Sequence, residues 1–116
     1  MKNLKKENRP WGYFKIISEE ESHKMKYIKV LPKHRLSYQY HDKRSEIWII
    51  IEGEAHVLIN GEENLYRYGD VVEIPKGSKH RVENKSDSDL IFVEVQTGTY
   101  FGEDDITRIE DDYNRI

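Results

Sequence analysis

Gln39-Tyr40-His41-Asp42-Lys43-Arg44-Ser45-Glu46-Ile47-Trp48-Ile49-Ile50-Ile51 is the stretch on which the reading of this chain turns. Side chains two residues apart in a β-strand share a face, so an extended Gln39-Tyr40-His41 points its amide and its imidazole the same way. Glu46 opens the apolar run Ile47–Ile51 and can return beside them across a short bend. An amide oxygen, an imidazole and a carboxylate converging on one point suit a borderline or hard divalent ion. A distant imidazole, His80, completes the set.

Working outward, the chain reads as many short strands separated by turn signals. Trp11 to Ile17 is rich in aromatic and β-branched residues, a strand signature. Lys24 to Leu31 alternates, with Lys26, Ile28 and Val30 on one face and Met25, Tyr27, Lys29 and Leu31 on the other, and Pro32 ends it. Strands are expected at 36–41, 47–52, 55–59, 65–68, 71–74, 80–83 and 90–96, with Asn60-Gly61 as a tight hairpin turn. The apolar period near two, not 3.6, argues for an all-β sandwich or closed barrel. After Gly102, the spacing of Ile106, Ile109 and Tyr113 with acidic residues ahead of them predicts a short C-terminal helix over 103–116, or an ordered tail.

The 116 residues set one domain as the expectation, with 1–8 as a flexible, basic arm and 26–96 as the core. A net charge of -3 with both signs interspersed argues against nucleic-acid or acidic-membrane partners. The absence of cysteine excludes disulfides and thiolate metal sites. No apolar run approaches the roughly 20 residues that cross a bilayer, and the N-terminus lacks a signal-peptide core, so a cytoplasmic protein is expected.

Two spacings stand out. Gly69, five residues, Pro75, one residue, Gly77, two residues, His80, three residues, Asn84 forms one. Gln39, one residue, His41, four residues, Glu46, six residues, Gly53 forms the other. Together they resemble the two motifs of the cupin superfamily, a double-stranded β-helix or jelly-roll barrel. Gln39 replaces the first motif's leading histidine, and Lys33 stands at its leading glycine. Arg9-Pro10-Trp11-Gly12, Leu36-Ser37-Tyr38-Gln39, Arg44-Ser45-Glu46, Trp48, Glu94 to Tyr100 and Gly102 to Ile106 further resemble the cupin domain of the type II phosphomannose isomerases. That domain usually follows a mannose-1-phosphate guanylyltransferase in a bifunctional enzyme of GDP-mannose biosynthesis. Here the cupin is expected to stand alone, with a separate guanylyltransferase as a partner in the same pathway.

The resemblance implies one divalent ion (Zn, Co, Mn or Mg) on Gln39, His41, Glu46 and His80. It also implies metal-dependent interconversion of mannose 6-phosphate and fructose 6-phosphate through an enediolate. Arg44 and Lys26 would contact the sugar phosphate or stabilise developing charge, and Glu94 is a further base candidate. Tyr38, Tyr40 and Trp48 are read as packing, His34 and His56 as surface residues. Asp42, Lys43 and Ile47 stand where the family carries histidines, which motivates a second expectation: a non-catalytic sugar-phosphate-binding cupin that keeps the metal site. A metal-dependent oxygenase is a third. A homodimer is expected, with the Trp11–Ile17 strand contributing.

Overall fold

The structure, a computed structural model, describes residues 4–115. Eleven strands run in chain order: β1 (Lys6–Arg9), β2 (Gly12–Glu19), β3 (His23–Val30), β4 (Tyr38–Tyr40), β5 (Arg44–Glu52), β6 (Ala55–Ile59), β7 (Glu62–Tyr66), β8 (Val71–Ile74), β9 (His80–Glu83), β10 (Leu90–Gly98) and β11 (Thr107–Glu110). They form two antiparallel sheets, β1-β2-β3-β10-β5-β8 and β11-β4-β9-β6-β7, which pack face to face. No helix occurs among the described residues.

Most expected strands are present, with two differences at the ends. The segment expected to be helical from residue 103 instead runs extended, and Thr107 and Arg108 pair with Tyr40 and Gln39. The backbone donors and acceptors left by the short strand β4 are satisfied by pairing, which outweighs a weak local helical period. The ordered-tail alternative is the observed one. At the other end, Lys6, Glu7 and Asn8 form β1 against β2, so these residues are not a free arm. Lys6 lies 4.3 Å over the Tyr13 ring and Arg9 4.8 Å over Phe14, so the basic residues cover aromatic surface. The first three residues of the expected arm lie outside the described set.

Turn chemistry sets the hairpins. Asn60 and Gly61 take φ values of 47° and 88°, and Ile59 pairs with Glu62 around them, which is the two-residue primed turn the sequence predicts. Asn84, the last residue of the second spacing motif, is fully buried. Its Nδ2 donates to the carbonyls of Val30 and Ser88, and its Oδ1 accepts from Ser86 N and Oγ. It thus anchors the polar loop before β10 and ties it to the end of β3.

Strand register divides the interior along its length. In the larger sheet, Phe92 lies between Ile28 and Ile50. One step on, Glu94 lies between Lys26 and Trp48, and the next row holds Lys24, Gln96 and Glu46. All these side chains are buried. In the smaller sheet, Val57 pairs with Val82, and the next row runs Ile59, His80, Gln39, Arg108. One end of the barrel is therefore an apolar plug of Val30, Ile50, Val57, Val82, Leu90 and Phe92, and the other end is lined with charge. The plug supplies the hydrophobic stabilisation. The charged end holds the chemistry.

Candidate functional site

The loop from His41 to Glu46 is held on two sides. Gly77 N donates to the His41 carbonyl at 2.9 Å and Lys76 N to Ser45 Oγ at 3.0 Å, so the Pro75-Lys76-Gly77 turn supports it from one flank. From the other flank, Asp105 accepts the backbone N–H groups of Asp42 and Lys43 at 3.1 and 3.0 Å. Gly98 pairs with Arg44 so closely that a Cβ there would overlap the Lys43 carbonyl, which explains a glycine at φ 149°.

His41, Glu46 and His80 converge, each buried, with one candidate ligand atom from each within 4.8 Å of the others. Both imidazoles are oriented through Nδ1: His41 Nδ1 donates to the Asp105 carbonyl at 2.7 Å, and His80 Nδ1 to the Ser78 carbonyl at 2.9 Å. This fixes the tautomer and leaves each Nε2 lone pair facing inward. Burial and the Arg44 guanidinium push the His41 pKa down to about 4, and burial lowers that of His80, so both rings are neutral at neutral pH. Two neutral imidazole nitrogens and one carboxylate are a donor set that fits a divalent ion. Gln39 sits directly across from His80 in register. Its Nε2 donates to Ser37 Oγ at 3.0 Å, which leaves the amide oxygen as its free acceptor.

Arg44 is buried and donates from Nε to Glu46 Oε2 at 2.9 Å, with Nη2 3.3 Å from His41 Nε2. Its Nη1 is buried without a partner. Trp48 is more than packing, because its indole N–H donates to Glu46 Oε1 at 2.9 Å and its ring meets His80 edge-on. Both oxygens of Glu46 are thereby positioned. Glu94 is buried, accepts from Gln96 Nε2 at 2.7 Å, and has its pKa pushed up to about 7 by burial and the neighbouring Glu46 carboxylate. Lys26 points inward as its alternation implied, but its ammonium is committed to Glu103 at 2.6 Å and lies 4.2 Å over the Phe14 ring.

Gln39, His41, Glu46, His80, Arg44, Lys26 and Glu94 thus all line one open cavity of about 110 Å³, room for a few waters or the reacting end of a small molecule. The same cavity is lined by Arg9, Glu103, Arg108 and Arg115, which the sequence reading did not single out. For Arg9 and Glu103 the signal was present in Arg9-Pro10-Trp11-Gly12 and in Gly102-Glu103-Asp104-Asp105. Arg108 and Arg115 lie outside both stretches, and only tertiary packing brings them to the cavity. His34 stacks on Tyr113, and His56 lies 3.7 Å from Glu63. Neither lines the cavity. The three positions that depart from the family histidines also lie away from it: Asp42 and Lys43 are exposed, and Ile47 alternates to the outer face of β5.

This architecture is shared with solved proteins. The chain superposes on the capsular polysaccharide assembling protein CapF of Staphylococcus aureus with a TM-score of 0.81 at 19% identity, over 93% of this chain and 34% of that one. An oxalate decarboxylase from Lactobacillus farciminis matches with a TM-score of 0.80 at 22% identity, over 91% of this chain and 33% of that one. A Klebsiella pneumoniae protein with a double-stranded β-helix domain matches with a TM-score of 0.73 at 21% identity, over 84% and 83% of the two chains. The fold is therefore that of a cupin, a double-stranded β-helix barrel. Residues 1–111 match the family described as mannose-6-phosphate isomerase C-terminal, and the chain belongs to that family. Among its relatives, the mannose-1-phosphate guanylyltransferase ManC of Salmonella typhimurium is 41% identical over 108 residues, covering 93% of this chain and 22% of that protein. The alginate biosynthesis protein AlgA of Pseudomonas aeruginosa is 40% identical over 107 residues, 92% of this chain and 22% of that one. The chain thus spans about a fifth of the length of these relatives.

Proposed function

We propose that this cupin is a metal-dependent aldose–ketose isomerase that interconverts mannose 6-phosphate and fructose 6-phosphate. The observation that carries the reading is one cavity holding two imidazoles and a carboxylate as a donor set, an arginine with a free buried N–H and a second carboxyl poised near neutrality. His41, Glu46 and His80, with the Gln39 amide oxygen, would hold the divalent ion, whose chemistry when bound is Lewis-acid polarisation of adjacent carbonyl and hydroxyl oxygens. Glu94 takes the proton from C2 of the open-chain aldose and returns it to C1 of the enediolate. The hydrogen of the 2-hydroxyl passes to the oxygen on C1. A base with a pKa near 7 suits this exchange, because it is deprotonated often enough to accept and acidic enough to give back. Arg44 offers Nη1 to the oxygen that gains negative charge. Trp48 and the Asp105 carbonyl keep Glu46 and His41 in place while this happens.

The second expectation, a binding cupin without catalysis, was motivated by the missing histidines at Asp42, Lys43 and Ile47. Those positions face away from the cavity, so the substitutions remove no group from it. A coupled assay of the purified chain with Zn, Co, Mn and Mg in turn tests the proposal. Turnover is expected with at least one ion, a loss of about a hundredfold or more in Arg44→Ala, and loss of metal retention in His80→Ala. Absence of turnover with all four ions would overturn it.

A further inference from the structure

The cavity carries positive charge that proton transfer does not use. Among the described residues, Arg44 is ion-paired to Glu46, Lys26 to Glu103, Arg81 to Glu110 and Arg115 to Asp111. Arg9 and Arg108 line the same cavity and form no ion pair with a carboxylate among the described residues. Arg9 donates only to the neighbouring Asn8 carbonyl. Arg108 has a buried Nε with no acceptor at all. Its guanidinium is disfavoured by burial and then by the positive charge of Arg115; Asp111 and Glu103 offset part of this and Arg9 adds to it, and the balance still leaves the cation short of negative charge.

Register says where that anion would sit. Arg108 pairs with Gln39, and Gln39 pairs with His80, so the three occupy one cross-strand row on one sheet. Directly opposed residues project to the same face, here the cavity face. Adjacent strands lie about 4.8 Å apart, so the Arg108 backbone is about 10 Å from that of His80. An open-chain sugar phosphate reaching from the donor set toward Arg108 would bring its far end to the unpaired guanidinium. A guanidinium fork matches a phosphate better than an ammonium does.

We propose that Arg108, with Arg9 beside it, seats the phosphate group of the substrate, and that Lys26 does not. The inference rests on the sugar-phosphate reading of the cavity and assigns its anion subsite. Calorimetric titrations of the full chain with mannose 6-phosphate, inorganic phosphate and unphosphorylated mannose test it, in the wild type and in Arg108→Gln, Arg108→Lys and the exposed control Arg67→Gln. Arg108→Gln is expected to weaken mannose 6-phosphate and inorganic phosphate at least tenfold and leave mannose unchanged. Arg108→Lys should recover part of the loss, and Arg67→Gln should match the wild type. Because Arg108 Nε has no partner to lose, Arg108→Gln should melt no lower than the wild type in phosphate-free buffer, but phosphate should no longer raise its melting temperature. Wild-type affinity for both phosphates in Arg108→Gln would overturn the assignment, as would an equal fall in mannose binding. Arg108-dependent phosphate binding without turnover under any metal would sustain this subsite while sinking the isomerase. Turnover with an unchanged KM in Arg108→Gln would do the reverse.

Discussion

Lys33 holds its backbone at φ 63°, in the left-handed region that L side chains occupy at a cost, and it stands where the first cupin motif carries its leading glycine. The structure gives the physical meaning of that motif position: the chain must turn left-handed between Pro32 and the ligand-bearing strand. Lys33 offsets part of the cost by donating from Nζ to the Lys85 carbonyl at 2.7 Å, an exposed contact. Lys33→Gly is therefore expected to raise the unfolding free energy by about 1 kcal/mol and the melting temperature by about 4 °C in thermal denaturation. A fall would mean that the lysine's hydrogen bond outweighs its backbone strain. At this scale the ligand positions were legible in the sequence, because two-residue alternation and motif spacing both act along the chain. Arg108 and Asp105 were not, because what makes them matter lies far away in the chain, as in the bond from His41 to the Asp105 carbonyl. Alternation marked Trp48 as buried but could not show its indole N–H reaching Glu46.

Among the elements, the C-terminal strap departs most from its sequence pattern. Apolar residues at helical spacing reflect its packing only in part, since β11 carries an extra residue between Arg108 and Glu110 that shifts its register on β4. The strap is then locked by ion pairs. Arg35 grips Asp112 through two bonds of 2.7 and 2.9 Å, and Arg115 grips Asp111 through 2.8 and 2.9 Å. Hydrogen bonding from Arg115 pulls the Asp111 pKa down to about 2. A carboxyl depressed in the folded state contributes stability that is fully present above its unfolded pKa, near 4, and is lost as pH falls toward 2. The melting-temperature difference between wild type and Asp111→Asn should thus be constant above about pH 5, be mostly lost by about pH 2 and vanish below it. A difference that persists at the acid end would show that Asp111 acts by packing alone. The strands themselves were easier to read, because alternation reports directly which face of a sheet is buried.

For the molecule as a whole, the outer face of the larger sheet is unusually apolar. Register sets Val71, Ile49, Val93 and Tyr27 in one row across four strands, flanked by Ile47 and Val95 in the next. Val71 and Ile49 are 55% and 36% exposed. Trp11 and Phe14 of the Trp11–Ile17 strand are in the core and β2 is paired on both sides, so that strand presents no unpaired edge. We propose that a second copy of the chain covers the β5–β8 face instead. Light scattering should give a dimer for the wild type and a monomer for the double variant Ile49→Glu, Val71→Glu with an unchanged fold by circular dichroism. A monomeric wild type would refute it. One further property follows from the position of β10, which is late in the chain yet sits between β3 and β5 at the middle of its sheet. During synthesis, β3 exposes its buried face and an open edge until residues 90–98 have left the ribosome. The barrel cannot close piecewise. Closing it requires one long-range strand insertion, the kind of non-local contact that makes β topologies fold on the millisecond-to-second scale, and the charged half of the interior is complete only when that strand is in place.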